Sequence, residues 1–582
     1  MDYLTGSMTA RDRTANVPPD VGDRVLPNSP FFGRLVRFAH EDPLPLAIRD
    51  LNLNVEKTYL QLLTDVLAVR NRLRRGLTSE TIEDISRGVD TFIGVFAAGG
   101  YEYTVAMLAV LALGAAVVPM STASSVEEVI YFVEKSRQVA ILCATSSEPA
   151  ACSVASRISA NRNAELPCIT IGSLFQSAPL LPHEITISSD RYLDDNSAGL
   201  VIFTSGTTGK PKGAVMRRGY IHDAALAVAD SYRINSQDVL LHVLPVHHAL
   251  GIGLMFFAFL YAGALIEFRS GSFDPEWMWE RWRRGGLTFF AGVSTIYMRM
   301  KRYFEQKLAK LAPEAKYDYL QGVRNFKVLF CGAGALPHPI AAFWTDMRGG
   351  KRVLQRYGAT EFGAVITIRL NDENTPDGSV GQVTPGVELK LSGGGDEGEI
   401  LIKSSQMFSR YLDDQVATTN VHDENGFFKT GDIARREGKY YFILGRASLD
   451  IIKSGGYKIS ALEIEREVLA LPYIEEVMVV AVEDEEYGQR VAALVSLRQD
   501  QGLQELKISR LRADLMERMA GYKMPTLLRV VEGELPKGST GKVLKKTLGP
   551  LFFPTDWEQH CPPEGEKRGW IQAWYSQAKP KL

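Results

Sequence analysis

The stretch TSGTTGKPKG, residues 204–213, decides how the chain is read. Its ten residues hold three Gly, four hydroxyl side chains and two Lys around one Pro, and they follow directly on the apolar run AGLVIF. A buried strand is handed to a loop whose composition suits a ligand. Gly206, Gly209 and Gly213 permit positive φ or a close backbone approach. Thr204, Ser205, Thr207 and Thr208 offer hydroxyls, and Lys210 and Lys212 offer charge. Successive amide N–H groups in such a loop form an anion-binding concavity, and the natural guest is a polyphosphate. This is not a Walker loop, which sets four residues between Gly and Gly-Lys; here two separate Gly206 from Gly209. The competing reading is a solvated loop, in which Gly, Ser and Lys are ordinary.

The rest of the composition narrows the class. A chain of 582 residues exceeds one core, so two or more domains are expected. The apolar share of 45% is that of a globular protein, and a net charge of -2 argues against nucleic acid as a partner. Five Cys without a C-x-x-C pair point to a reducing compartment and no zinc site. The first 25 residues lack an apolar core, so no secretory signal is expected. The apolar runs 105–120 and 251–266 are short for a bilayer and read as buried helices, so no transmembrane segment is expected. The chain ends Pro580-Lys581-Leu582, an imperfect form of the peroxisomal S-K-L address. The expected compartment is therefore the cytoplasm or the peroxisome.

Along the chain, short apolar β-type runs alternate with helical stretches. QVAILCA, AGLVIF, DVLLHVLP, LTFFAGV and FKVLFCGAG read as buried strands, and VAMLAVLALGAAVVPM as helix then strand. That alternation predicts an α/β fold with mostly parallel sheets. From about 375, Gly-bounded alternating strands predict a small antiparallel barrel or sheet. SALEIEREVLALPYIEEVMVVAV then reads as an amphipathic helix and a strand of a separate α+β unit. The expected division is a flexible N-terminus over 1–30, a large domain over 31–446, a small mobile domain over 447–550, and a tail of unknown role over 551–582.

Five motifs in order give the chain a resemblance. TSGTTGKPKG is followed by YGATE at 357–361, KTGD at 429–432, GRASLDIIKSGGYKIS at 445–460 and LPKGSTGK at 535–542. Together they resemble the adenylate-forming, AMP-binding acyl-CoA synthetases over roughly residues 30–550. LPVHHALG, VSTIY, DIIKSGGYK and YGQRV resemble the malonyl-CoA synthetases within that family. The resemblance implies a ligase that joins a carboxylic acid to coenzyme A at the expense of ATP, with Mg²⁺ as cofactor. A carboxylate attacks the α-phosphate to give an acyl-adenylate and pyrophosphate; the CoA thiol then displaces AMP. Two anions must meet, so such a site has to neutralise charge and align the attack.

The resemblance also assigns roles. Thr204, Ser205, Gly206, Thr207, Thr208, Gly209, Lys210 and Lys212 would hold the β- and γ-phosphates, with Glu361 and Thr208 on Mg²⁺. Gly332, Ala333 and Gly334 would leave room for the flat adenine, and Tyr357, followed by Gly358, would lie against it. Thr360 would reach the α-phosphate, Asp432 would accept ribose hydroxyls, and Arg446 would reach ribose or phosphate. Lys542 would stabilise charge developing on the α-phosphate and carboxylate. His248, Gly251, Tyr261, Val293, Ser294 and Gly332 to Gly334 would line the acyl pocket, with His248 near the carboxylate and Arg299 as the cation for a second carboxylate. The adjacent His247 and His248, read as strand neighbours, point to opposite faces and do not suggest a metal. Two departures bear on the acid: Leu250 stands where the family often has a second His, and Ser294 where Pro is usual.

Coenzyme A would enter along Gly455 and Gly456, with Lys458 or Arg490 on its phosphates, and Ser448 would be the hinge. A small or medium acid, including a dicarboxylic acid such as malonate, fits these features. Two alternatives remain at this point: an adenylating enzyme that loads a carrier protein, and a non-catalytic nucleotide-binding relative. Intact Glu361, Asp432, Arg446 and Lys542 weigh against the second. On this reading Lys542→Ala lowers acyl-adenylate formation by at least about 100-fold while sparing thioester formation from supplied acyl-adenylate. Assays of the two half-reactions check this, and equal losses refute it.

Overall fold

The computed structural model describes residues 22–189, 193–204, 210–332, 336–370, 372–499, 502–503, 505–537, 543–560 and 570–574. Ser205, Gly206, Thr207, Thr208, Gly209, Ala333, Gly334, Lys542 and the terminal Pro580-Lys581-Leu582 lie outside the described residues.

Two large sheets build the first part of the chain. In the seven-stranded sheet, Ala116–Met120, Phe92–Phe96, Ala140–Cys143 and Cys168–Thr170 run parallel beside Ala198–Thr204, while Lys212–Arg217 and Arg410–Tyr411 close the edge antiparallel. The nine-stranded sheet is parallel through Leu354–Ala359, Val328–Gly332, Phe289–Val293, Val239–His242 and Leu265–Phe268. Strands in these centres are apolar on both faces because helices cover both sides. The helix Tyr101–Leu113 is apolar all round and buried along its whole length, as a helix between two layers must be. A four-stranded antiparallel sheet, with Val387–Leu391, Glu397–Ser404, Phe428–Glu437 and Tyr440–Arg446, follows. The chain is thus α/β with mostly parallel sheets, as its alternation predicts.

Two boundaries differ from expectation. The order begins inside the stretch 1–30: Val25–Leu26 pairs with Thr186–Ile187, Leu26 is buried, and Ser29 caps the helix Pro30–Ala39. The run 251–266 is helical only to Ala262 and ends in the strand Leu265–Phe268. Gly263, at φ +78, makes the break. No helix among the described residues is long and apolar enough to cross a membrane.

The C-terminal unit has one sheet with a core on each face. Ile474–Asp484, Gly488–Leu497 and Leu527–Val531 form its centre. One face packs Ile452, Ile464, Val479 and Leu511; the other packs Met478, Val480, Leu548 and Trp557. The tail contributes here: Phe553, Trp557 and Ile571 are buried in the second core, and Gln572–Ala573 adds an edge strand.

A buried charge cluster ties this unit to the incoming chain. Lys545 Nζ lies 2.6 Å from Asp450 Oδ1 and 2.8 Å from Glu465 Oε1. Burial raises the Glu465 carboxyl above its ordinary range. Burial alone would lower the Lys545 ammonium, but Glu465 and Asp450 outweigh it and raise it. Removing the cation leaves two carboxylates facing each other. Lys545→Met is therefore expected to destabilise the C-terminal unit by about 3–5 kcal/mol. The deficit should shrink as the pH falls and Glu465, whose carboxyl burial raises, takes a proton; denaturant unfolding of the full chain against pH measures both.

Candidate active site

Three strands converge on one carboxylate. Asp432 and Arg446 are register partners on the antiparallel sheet, and Tyr357 comes from the nine-stranded sheet. The Tyr357 hydroxyl donates to Asp432 Oδ2 at 2.7 Å, and Arg446 Nε donates to Oδ1 at 3.1 Å. Burial, and then the Asp432 charge, push the Tyr357 hydroxyl well above its ordinary pKa. Each Asp432 oxygen thus has one partner and retains acceptor capacity for a ribose. Gly358 is required for this approach, since a Cβ there would stand 2.0 Å from the Gly363 carbonyl oxygen.

The expected phosphate side stands on the seven-stranded sheet. Thr204 and Lys212 are paired across the hairpin that the loop closes, and the Thr204 hydroxyl reaches the Lys212 carbonyl at 3.4 Å. Lys212 Nζ lies 5.1 Å from the Tyr411 ring centroid and 3.9 Å from Asp414, and Lys210 Nζ lies 5.3 Å from the Tyr131 ring. The Tyr411 hydroxyl donates to Glu361 Oε1 at 2.9 Å. Burial, then the Glu361 charge, raise that hydroxyl's pKa. Tyr411 therefore links the acid of YGATE to the second Lys of the loop, a role that no local motif announces. Thr360 is buried next to Glu361, whose own carbonyl accepts the Phe408 amide at 2.7 Å.

The acyl side is a wall of small residues under a helix end. Val293 and Gly332 are adjacent in register, and a Cβ on Gly332 would meet Leu250 at 3.0 Å. Leu250 thus fills the space over Gly332, which is the physical content of its departure from the family. Gly251 lets the helix start pass Pro245, whose carbonyl oxygen a Cβ would meet at 2.4 Å. His248 is half-buried, with its Nδ1 3.4 Å from the Leu250 amide. His247 and His248 lie in the turn before that helix, not on a strand as the sequence suggested. Burial lowers the His247 imidazole below its usual pKa.

Arg356 was passed over in the sequence, and it is the cation on this wall. Phe330 pairs with Leu354 and Cys331 with Gln355, so the register continues with Gly332 beside Arg356. Alternation along the strand sends Tyr357 to the nucleotide side and Arg356 to the opposite face, with Gly332. Its guanidinium lies 5.4 Å from the Tyr232 ring. Among the described residues its buried Nε and Nη1 have no hydrogen-bond partner, nor has the Tyr232 hydroxyl. A charge before a motif usually reads as solvated; the signal that could have found it was the alternation from Tyr357.

Several expected site residues stand elsewhere. Arg299 is not in the acyl pocket: its side chain is 42% exposed and donates to Glu534 Oε2 at 2.8 Å, because its position on the Ser294–Gln306 helix turns it toward the C-terminal unit. Tyr261 lies some three helical turns from Gly251, where its ring packs on His222 and Arg34. Arg490 is 6% exposed and pairs with Asp484, so it does not face a phosphate. Ser448 is exposed within the turn 447–450, while Asp450 holds that turn by accepting the Arg446 amide at 3.0 Å. Gly455 and Gly456 form a hairpin tip at φ +55 and +84, with Lys458 exposed beside it. Ser294 opens the helix beside Val293.

Comparison with known proteins gives the family. The sequence profile described as AMP-binding enzyme matches residues 37–412, and that of the AMP-binding enzyme C-terminal domain matches 463–542. The chain is 30% identical over 540 residues to the acyl-CoA ligase oryP of Aspergillus oryzae, covering 91% of this chain and 93% of that protein. It is 31% identical to the malonate–CoA ligase of Arabidopsis thaliana, over 78% and 77% of the two chains. Among solved structures, ATP-bound MatB from Rhodopseudomonas palustris superposes with a TM-score of 0.74 at 25% identity, over 90% of this chain and 98% of that one.

Proposed function

Because the chain belongs to the AMP-binding enzymes and is an ATP-dependent, AMP-forming carboxylic acid:CoA ligase, we propose that the acid it activates is a short dicarboxylate of the malonate type, read by Arg356. Two buried, unpaired nitrogens of the half-buried Arg356 guanidinium carry this reading. Buried donors without acceptors are costly unless a ligand supplies them. A carboxylate at the far end of the acid would satisfy Arg356 Nε and Nη1, and the Tyr232 hydroxyl stands beside them as a further donor. Leu250 against Gly332 keeps the space short. The malonate–CoA ligases among the relatives support the same class.

In this reading one carboxylate of the acid attacks the α-phosphate; the new O–P bond forms as the bond to pyrophosphate breaks. The CoA sulfur then bonds to the acyl carbon, and AMP leaves with the bonding electrons. Asp432 and Tyr357 hold the nucleotide, with Arg446 completing the ribose contact. Lys210 and Lys212 neutralise phosphate charge, and Lys542 meets the charge that develops during attack. Gly455, Gly456 and Lys458 receive the pantetheine arm and its phosphates. Glu361 fits Mg²⁺: among the described residues only Tyr411 bonds its carboxylate, at Oε1, so an oxygen is left for a hard cation that takes few protein ligands. Mg²⁺ there would offset phosphate charge.

Two variants test these assignments. Arg356→Met should reduce malonate activation by a factor of hundreds, the equivalent of about 3–5 kcal/mol for losing a buried ion-pair partner. It should spare or improve butyrate. Pyrophosphate release across a panel of acids measures this. Parallel losses on both acids make Arg356 structural; a wild-type enzyme that uses only monocarboxylates overturns the dicarboxylate reading. Glu361→Gln should raise the Mg²⁺ concentration needed for half-maximal rate at least about tenfold with the fold intact. An unchanged Mg²⁺ titration removes Glu361 from that role.

A further inference from the structure

The C-terminal unit meets the large unit along a charged seam. On the helix Ser294–Gln306, Arg299, Arg302 and Glu305 recur every three residues and so share one side. Arg299 pairs with Glu534, Arg302 with Glu475, and Glu305 accepts from Arg498 Nη2 at 3.2 Å. Among the described residues no hydrophobic core cluster spans the two units: those of the C-terminal unit draw only on residues from Ile452 onward. Units joined by a polar contact and a short connection are free to move relative to each other unless specific contacts hold them.

These contacts lie against the segment that carries Lys542. Leu535 N donates to Glu476 Oε2 at 2.6 Å, and Lys537 pairs with Glu476 and, at 3.4 Å, with Glu534. Glu475 and Glu476 stand at a register shift at the start of the strand Ile474–Asp484, and their carboxylates meet different partners. One carboxylate meets Arg302 of the large unit; the other, 6% exposed, fastens Leu535 and Lys537. Glu534 joins the same segment to Arg299. The chain is therefore held on both sides just before residues 538–542.

We propose that Arg299, Arg302 and Glu305 form a docking face that sets the C-terminal unit in its adenylating orientation, and that these are positioning residues for acyl-adenylate formation. The proposal rests on the assignment of Lys542 to that half-reaction. The pairs are half-exposed, so each biases the orientation by a modest factor and the three act together.

Charge reversal in the full-length enzyme tests it, with ATP–pyrophosphate exchange as the first readout and thioester formation from supplied acyl-adenylate as the second. Arg302→Glu and Glu475→Arg should each slow exchange about three- to tenfold, mainly in kcat, with the KM for ATP little changed and the second half-reaction retained. The double variant should return exchange to within about twofold of wild type. Arg302→Gln serves if the reversed variant does not fold, with the same expected split between half-reactions. Equal losses in both half-reactions, or a folded double variant without rescue, overturn the docking role. Lys542→Ala separates the two ideas: if it spares exchange, the Lys542 assignment fails, whatever the charge reversals do.

Discussion

One carboxylate, Asp432, is shared by three parts of the chain. It stands on the antiparallel sheet, Tyr357 reaches it from the nine-stranded sheet, and Arg446 is the last strand residue before the C-terminal unit. A carboxylate with so little exposure persists only when its oxygens are engaged. Meeting that need brings the two sheets to a fixed distance. It also explains why the strand carrying Tyr357 must pass Gly363 without a side chain at 358. The nucleotide side of the site is thus a by-product of how two sheets satisfy one anion.

The neighbouring cations are held differently. Lys210 and Lys212 rest over the rings of Tyr131 and Tyr411. Ring faces attract an ammonium without neutralising it, and Lys212 has the Asp414 carboxylate as well, at 3.9 Å. Tyr411 adds a second function, since its hydroxyl also orients Glu361. Cation and anion are kept close to each other without collapsing into a direct pair.

Much of this was legible in the sequence because it is local. The motifs that carry the family, YGATE, KTGD and the 445–460 segment among them, each lie in a few consecutive residues, and short apolar runs marked the buried strands. What was not legible depends on partners far along the chain. Arg299 looked like a pocket residue from its neighbours, yet its partner is Glu534, 235 positions away. Arg490 was read as a ligand-facing charge and is instead neutralised by Asp484 in a buried pair. Arg356 went unread because a charge beside a motif is usually solvated; only the stacking of its strand against Gly332 turns it inward. The HH dipeptide misled because a turn, not a strand, follows Val246. The tail could not be placed because Trp557 and Ile571 complete a core whose other members are scattered from Met478 to Phe553.

The turn at 446–450 has one more consequence. Asp450 accepts the Arg446 amide with one oxygen and the Lys545 ammonium with the other. The backbone that aims Arg446 at Asp432 is therefore mechanically continuous with the Lys545–Phe552 helix of the C-terminal unit. A torque on that helix is felt at the Arg446–Asp432 pair. Under the proposed roles, nucleotide residence time and a swing of the C-terminal unit would be coupled variables, set by one carboxylate.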